Sequence, residues 1–175
     1  MSDPFAHCLR LDRIGDGERL DLVAGAVERR AIGERLGLES LDRLEAHATL
    51  YRNGDVIRAE GRLGAALDQR CVITGEPVAA HVDEAFALLF MPEPQSSRSE
   101  QEIELGAEDC DVVFHDGCTI DLGAAIADTL ALCLDPYPRS AGAEAALKEA
   151  GVLSEADASP FAVLAQLRKG GSDDS

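Results

Sequence analysis

The residues of this chain with the most chemistry in them are its thiols. Cys110, His115 and Cys118 lie close together, and with Cys71 as a fourth donor they offer the nitrogen and sulfur ligands that zinc takes in a closed tetrahedron. Structural zinc sites usually show tight paired spacings, however, and no Cys-x-x-Cys occurs here. Thiols so scattered are more often small buried apolar groups. The four residues are therefore weak metal candidates, and no cofactor is expected. Cys8 and Cys133 complete an odd set of five cysteines, which argues against a disulfide framework in a chain that reads as cytosolic.

Catalytic signatures are missing. There is no glycine-rich phosphate loop, no serine in a nucleophile elbow and no His-Glu-x-x-His. Carboxylates are so numerous that no pair of them is informative. The expectation is a non-enzymatic protein that binds something. For a nucleic-acid partner the candidates are Arg52, Arg58, Arg62 and Arg70, because affinity for a phosphate backbone comes from such cations. Arg58 and Arg62 share one face by parity, although Glu60 stands between them, as on any solvated strand face. The turn Thr74-Gly75-Glu76-Pro77, with Arg70 and Cys71 before it, is a second candidate surface. Gly and Pro are also ordinary turn chemistry. Arg139 is either a contact residue or the cation closing a helix C-terminus.

Alternation of period two places these residues on strands. Phe5 to Arg13 reads as an opening strand and Ala24 to Leu36 as a helix capped by Gly37. In Leu44 to Tyr51, Leu44, Ala46, Ala48 and Leu50 face one side while Glu45, His47, Thr49 and Tyr51 face the other. Asn53-Gly54-Asp55 is a strong hairpin signal. The following strand turns Ile57, Ala59, Gly61, Leu63, Ala65 and Leu67 inward and runs on to Ile73. After the turn at Thr74 to Pro77, His81 to Phe90 returns as a third strand. Val112 to Phe114 is a short strand. Asp121 caps a helix over Leu122 to Leu134 with Leu122, Ile126, Leu130 or Thr129, and Cys133 as its buried stripe. Short helices are expected at Ala143 to Ala150 and at Phe161 to Arg168. The fold class is α+β: an antiparallel β-meander, open or partly closed into a barrel, packed with three to four helices. Residues 1–169 read as one domain, with an acidic flexible loop at about 93–111 and a disordered tail at 170–175.

Charge bounds the partner. Sixteen Lys and Arg against 33 Asp and Glu leave −17, which repels phosphate at long range and attracts basic partners. The stretch Pro92 to Asp111 holds seven acids and one base, so without it the chain would still carry −11. No window is apolar enough to span a membrane, and the N-terminus lacks a basic start followed by an apolar run. The expected location is the cytoplasm.

Three stretches, in order, resemble one family. They are Arg70-Cys71-Val72-Ile73-Thr74-Gly75-Glu76-Pro77-Val78 with Phe86 to Phe90, then Thr119-Ile120-Asp121-Leu122 leading to Leu134-Asp135-Pro136-Tyr137-Pro138-Arg139, and Ser159 to Leu164 with Leu167. Together they are similar to the YceD family, the large ribosomal RNA subunit accumulation proteins, in its proteobacterial branch. The resemblance implies a role in making the large ribosomal subunit, with large-subunit rRNA or a basic large-subunit ribosomal protein as partner and no enzymatic activity. The gene neighbourhood of the family suggests an alternative, an acidic regulatory adaptor linked to envelope lipid metabolism. One departure is chemical. Many members carry Cys-x-x-Cys where this chain has Cys71-Val72-Ile73-Thr74, and threonine cannot donate a thiolate.

Overall fold

The computed structural model describes residues 5, 7–93 and 111–151. The interior of the expected acidic loop, Cys110, the expected helix at Phe161 to Arg168 and the tail at 170–175 lie outside the described residues. The chain forms two compact units, one from residues 1–69 and 79–136, the other from residues 70–78 and 137 onward.

The first unit contains a sheet in the order β2-β3-β4-β5-β6, formed by β2 (Glu18–Val23), β3 (Ser40–Asn53), β4 (Val56–Arg70), β5 (Pro77–Pro92) and β6 (Asp111–His115). Arg70, Pro77 and Val78, at the ends of β4 and β5, belong to the second unit. β3 and β4 pair antiparallel from Asn53↔Val56 through Leu41↔Leu67 and on to Ser40↔Asp68, with a register shift between Leu41 and Arg43. The hairpin falls at Gly54 and Asp55, as the Asn-Gly-Asp signal requires. Alternation carries Ala46, Leu50, Ile57, Ala59, Leu63 and Ala65 fully into the core. A side-chain period of two leaves no other register that buries this set.

Three features of the sheet depart from expectation, the first being that β4 ends at Arg70 instead of running on to Ile73. The helix α1 (Ala26–Leu36) begins at Ala26 rather than Ala24, and before it Glu18–Val23 forms a strand that pairs with β3 from Glu18↔Leu50 to Val23↔Glu45. Its alternation is masked because only Leu20 and Leu22 are inward apolar residues, and Val23 is exposed. At the other end β6 pairs with β5 in parallel, from Leu88↔Asp111 to Pro92↔His115. Among the described residues β2 and β6 do not pair and remain separate edges, so the sheet is open and not a closed barrel.

A second, two-stranded sheet pairs β1 (Cys8–Arg10) with β7 (Thr119–Asp121), and a 3-10 turn at Leu11–Arg13 ends the opening strand early. Asp121 then caps α2 (Leu122–Cys133), its carboxylate accepting the Ala124 N–H at 3.0 Å and the His7 N–H at 3.0 Å. Leu122, Ile126 and Leu130 of α2 are fully buried in the same apolar cluster as Ile32 of α1 (Ala26–Leu36) and the sheet. The second unit contains α3 (Ala143–Glu149), which ends before Gly151.

Candidate functional site

The outward face of the first unit's sheet is a row of charges. Asp21 and His47 are register partners across β2 and β3, His47 and Arg62 across β3 and β4, and Arg62 reaches Asp83 on β5. His47 Nδ1 stands 2.6 Å from the Asp21 carboxylate, whose hydrogen bond and charge raise the imidazole's pKa. Arg62 donates from Nε and Nη2 to one oxygen of Asp83 at 3.0 and 2.9 Å. Arg58 lies 2.6 Å from Glu60, and Arg43 lies 3.3 Å from Glu45. The two arginines proposed from parity do share this face, but each is matched by an acid. Among its described residues the unit carries 10 arginines against 20 acids, a net charge of −10. Sequence parity could find Glu60, but not Asp83 or Asp21, which reach the row only through strand pairing.

In the second unit the turn residues converge on a sulfur. The Gly75 N–H closes the turn onto the Cys71 carbonyl at 2.9 Å, and the Cys71 N–H donates to the Glu76 carbonyl at 2.8 Å. Gly75 has φ of 75°, a conformation that glycine adopts without steric cost. Val72 N–H donates to the Pro138 carbonyl at 2.9 Å, which ties the turn to the segment beginning at Tyr137. The consequence is that Cys71 Sγ accepts two backbone N–H groups, from Thr74 at 3.4 Å and from Ser140 at 3.2 Å. Thr74 Oγ1 donates to Glu76 Oε2 at 3.0 Å and lies 3.1 Å from Ser140 Oγ.

This environment sets the ionisation. Burial raises the Cys71 pKa, but the hydrogen bonds from Thr74 and Ser140 outweigh it and bring the thiol down to about 6. Hydrogen bonds from Ser140 and Thr74 likewise lower the Glu76 carboxyl. Cys71 itself is buried, while Arg70, Val72, Gly75, Glu76, Pro77 and Arg139 are exposed and Thr74 is half-buried. Ser140 gave no signal in the sequence, because its partners lie 66 and 69 residues away.

Of the remaining metal candidates, His115 is engaged by the backbone. His115 accepts the Gly117 N–H at Nδ1 (3.0 Å), so its Nε2 donates to the Asp55 carbonyl at 2.8 Å, and neither nitrogen is left for a cation. Cys118 is exposed, and Cys110 is outside the described residues. No cluster of three or more His, Cys, Asp or Glu side chains suited to a metal occurs among the described residues. A cleft in the first unit, about 480 Å³ in volume, is lined by Arg10, Asp12, Arg52, Asp55 and Cys118. Its cations are already engaged, Arg10 with Asp12 at 2.9 Å and Arg52 with the Gly54 and Leu11 carbonyls.

Comparison with known proteins places part of the chain in a family. The family model described as large ribosomal RNA subunit accumulation protein YceD matches residues 59–168, which includes most of β4 and all of the Cys71 turn, β5, α2 and α3. No curated protein and no solved structure matches significantly. With more than half of its residues inside that match, the chain belongs to the YceD family of large ribosomal RNA subunit accumulation proteins.

Proposed function

We propose that this protein supports accumulation of large-subunit ribosomal RNA without catalysis, by holding a basic large-subunit ribosomal protein until it is delivered. The observation that carries this reading is the charge layout of the first unit. Its net charge is −10 among described residues, and the arginines of its open face stand against Glu60 and Asp83. An RNA phosphate would have to displace those acids and approach against a negative field. A basic protein is instead drawn in by the same field, which speeds encounter and disfavours like-charged competitors. The protein acts in the cytoplasm on this reading. Among the described residues no helix is long and apolar enough to cross a membrane.

Direct rRNA contact is a second reading, supported by the other unit. Its described residues are neutral overall, with Arg70, Arg139 and Lys148 against Glu76, Glu144 and Glu149. Tyr137 is 70% exposed beside Arg139 and offers a ring on which an unpaired base could stack. A tagged pulldown from the native host, with and without nuclease, separates the two. A basic ribosomal protein that stays bound after nuclease supports the first reading. Large-subunit rRNA whose loss also strips away all ribosomal proteins supports the second and overturns the first.

A further inference from the structure

We infer that the Cys71 turn is a metal-independent clasp, in which hydrogen bonds to one sulfur take the place of a metal centre. The inference does not depend on the proposed function. Four side chains converge here: Cys71, Thr74 and Glu76 from the turn, and Ser140 from the segment after Pro138. Their placement is that of a small metal knuckle, with residues i and i+3 of a tight turn facing a third residue from a distant segment. Their chemistry is not. A structural zinc site is built mainly on thiolates and imidazoles, and this set offers one thiol, two hydroxyls and one carboxylate.

The donors are also engaged, by one another and by the backbone. The sulfur accepts the Thr74 and Ser140 N–H groups, the kind of contact that elsewhere orients a thiolate around a metal as an outer shell. Thr74 Oγ1 is engaged with Glu76 Oε2, with the Glu76 N–H at 3.3 Å and with Ser140 Oγ. Two backbone dipoles thus face the sulfur from two segments and supply the positive environment that a cation would otherwise provide. The Cys-x-x-Thr sequence is consistent with this arrangement, since the threonine hydroxyl bonds to Glu76 where a cysteine would bond to metal.

The geometry makes a specific demand. Thr74→Cys with Ser140→Cys places three thiols and the Glu76 carboxylate around one point, so the double variant should acquire a metal that the native protein does not take. The test is cobalt(II) titration of the purified full chain followed by the thiolate-to-cobalt absorption band, with metal content measured by mass spectrometry. Native protein is expected to show no stoichiometric metal, no band, and an unfolding midpoint unchanged by chelator. The double variant is expected to bind one cobalt per chain and to lose stability on chelation. A native band that disappears in Cys71→Ser would overturn the inference, as would a native unfolding midpoint that falls on chelation. If the double variant does not fold, the native titration decides alone.

Discussion

The two units solve the same problem, closing a small fold, by different means. The first buries a continuous apolar cluster and leaves its polar atoms on an open face, where acids and bases are matched strand by strand. The second, among its described residues, gathers the polar groups of its turn and of Ser140 around one buried sulfur. Burial of apolar surface is tolerant of detail and large in sum. A polar clasp is smaller in sum and fails when any one partner is removed, because the remaining groups are left desolvated and unsatisfied. Charge follows the same division: surplus acid lies in the first unit, and the described part of the second is neutral.

The largest effect should come from the apolar cluster. Leu63→Ala, at a fully buried position in the centre of β4, should cost about 3 kcal/mol in urea unfolding. A loss below ~1 kcal/mol would mean that the sheet core collapses around the cavity.

Cys71→Ser should cost less, and its cost should depend on pH. The thiol has a folded pKa of about 6 against an ordinary value of 9.0, so the native state favours the thiolate. Its contribution is full above the unfolded value and is lost as pH falls through the folded one. The stability gap between native protein and Cys71→Ser should therefore narrow as pH is lowered from about 8 to about 5. A gap that is flat across this range would remove the thiolate from the clasp.

Asp121→Ala removes the cap of α2 and the acceptor of the His7 N–H, and is expected to lower stability by about 1 kcal/mol. Smallest of all is the open face. Asp83→Asn breaks an ion pair in which both side chains are more than half exposed, so its effect should stay within about 0.5 kcal/mol. A loss above ~1 kcal/mol there would show that the charged row is a structural network.

Much of the first unit could be read from alternation and turn chemistry. The inward sets of β3 and β4, the hairpin at Gly54, the Asp121 cap and the stripe of Leu122, Ile126 and Leu130 all follow from local spacing. β2 escaped because it has few inward apolar residues, and the parallel pairing of β6 with β5 escaped because register between distant strands leaves no local trace. The candidate site divides the same way. Arg58 and Arg62 share a face by parity, but their meaning changed once Glu60 and Asp83 were beside them. Cys71, Thr74 and Glu76 could be named from the turn. Ser140, which completes the clasp, could not, because nothing between residues 74 and 140 encodes their approach.

The most direct test of the proposed partner is a charge-neutralised variant in the same pulldown. Asp42→Asn, Asp55→Asn, Glu84→Gln and Asp111→Asn change four exposed acids of the first unit without touching its core. The expected result is weaker, more salt-sensitive recovery of a basic ribosomal protein after nuclease. Unchanged protein recovery, or increased recovery of large-subunit rRNA, would contradict the acidic-holder reading and move the binding surface to Arg70 and Arg139.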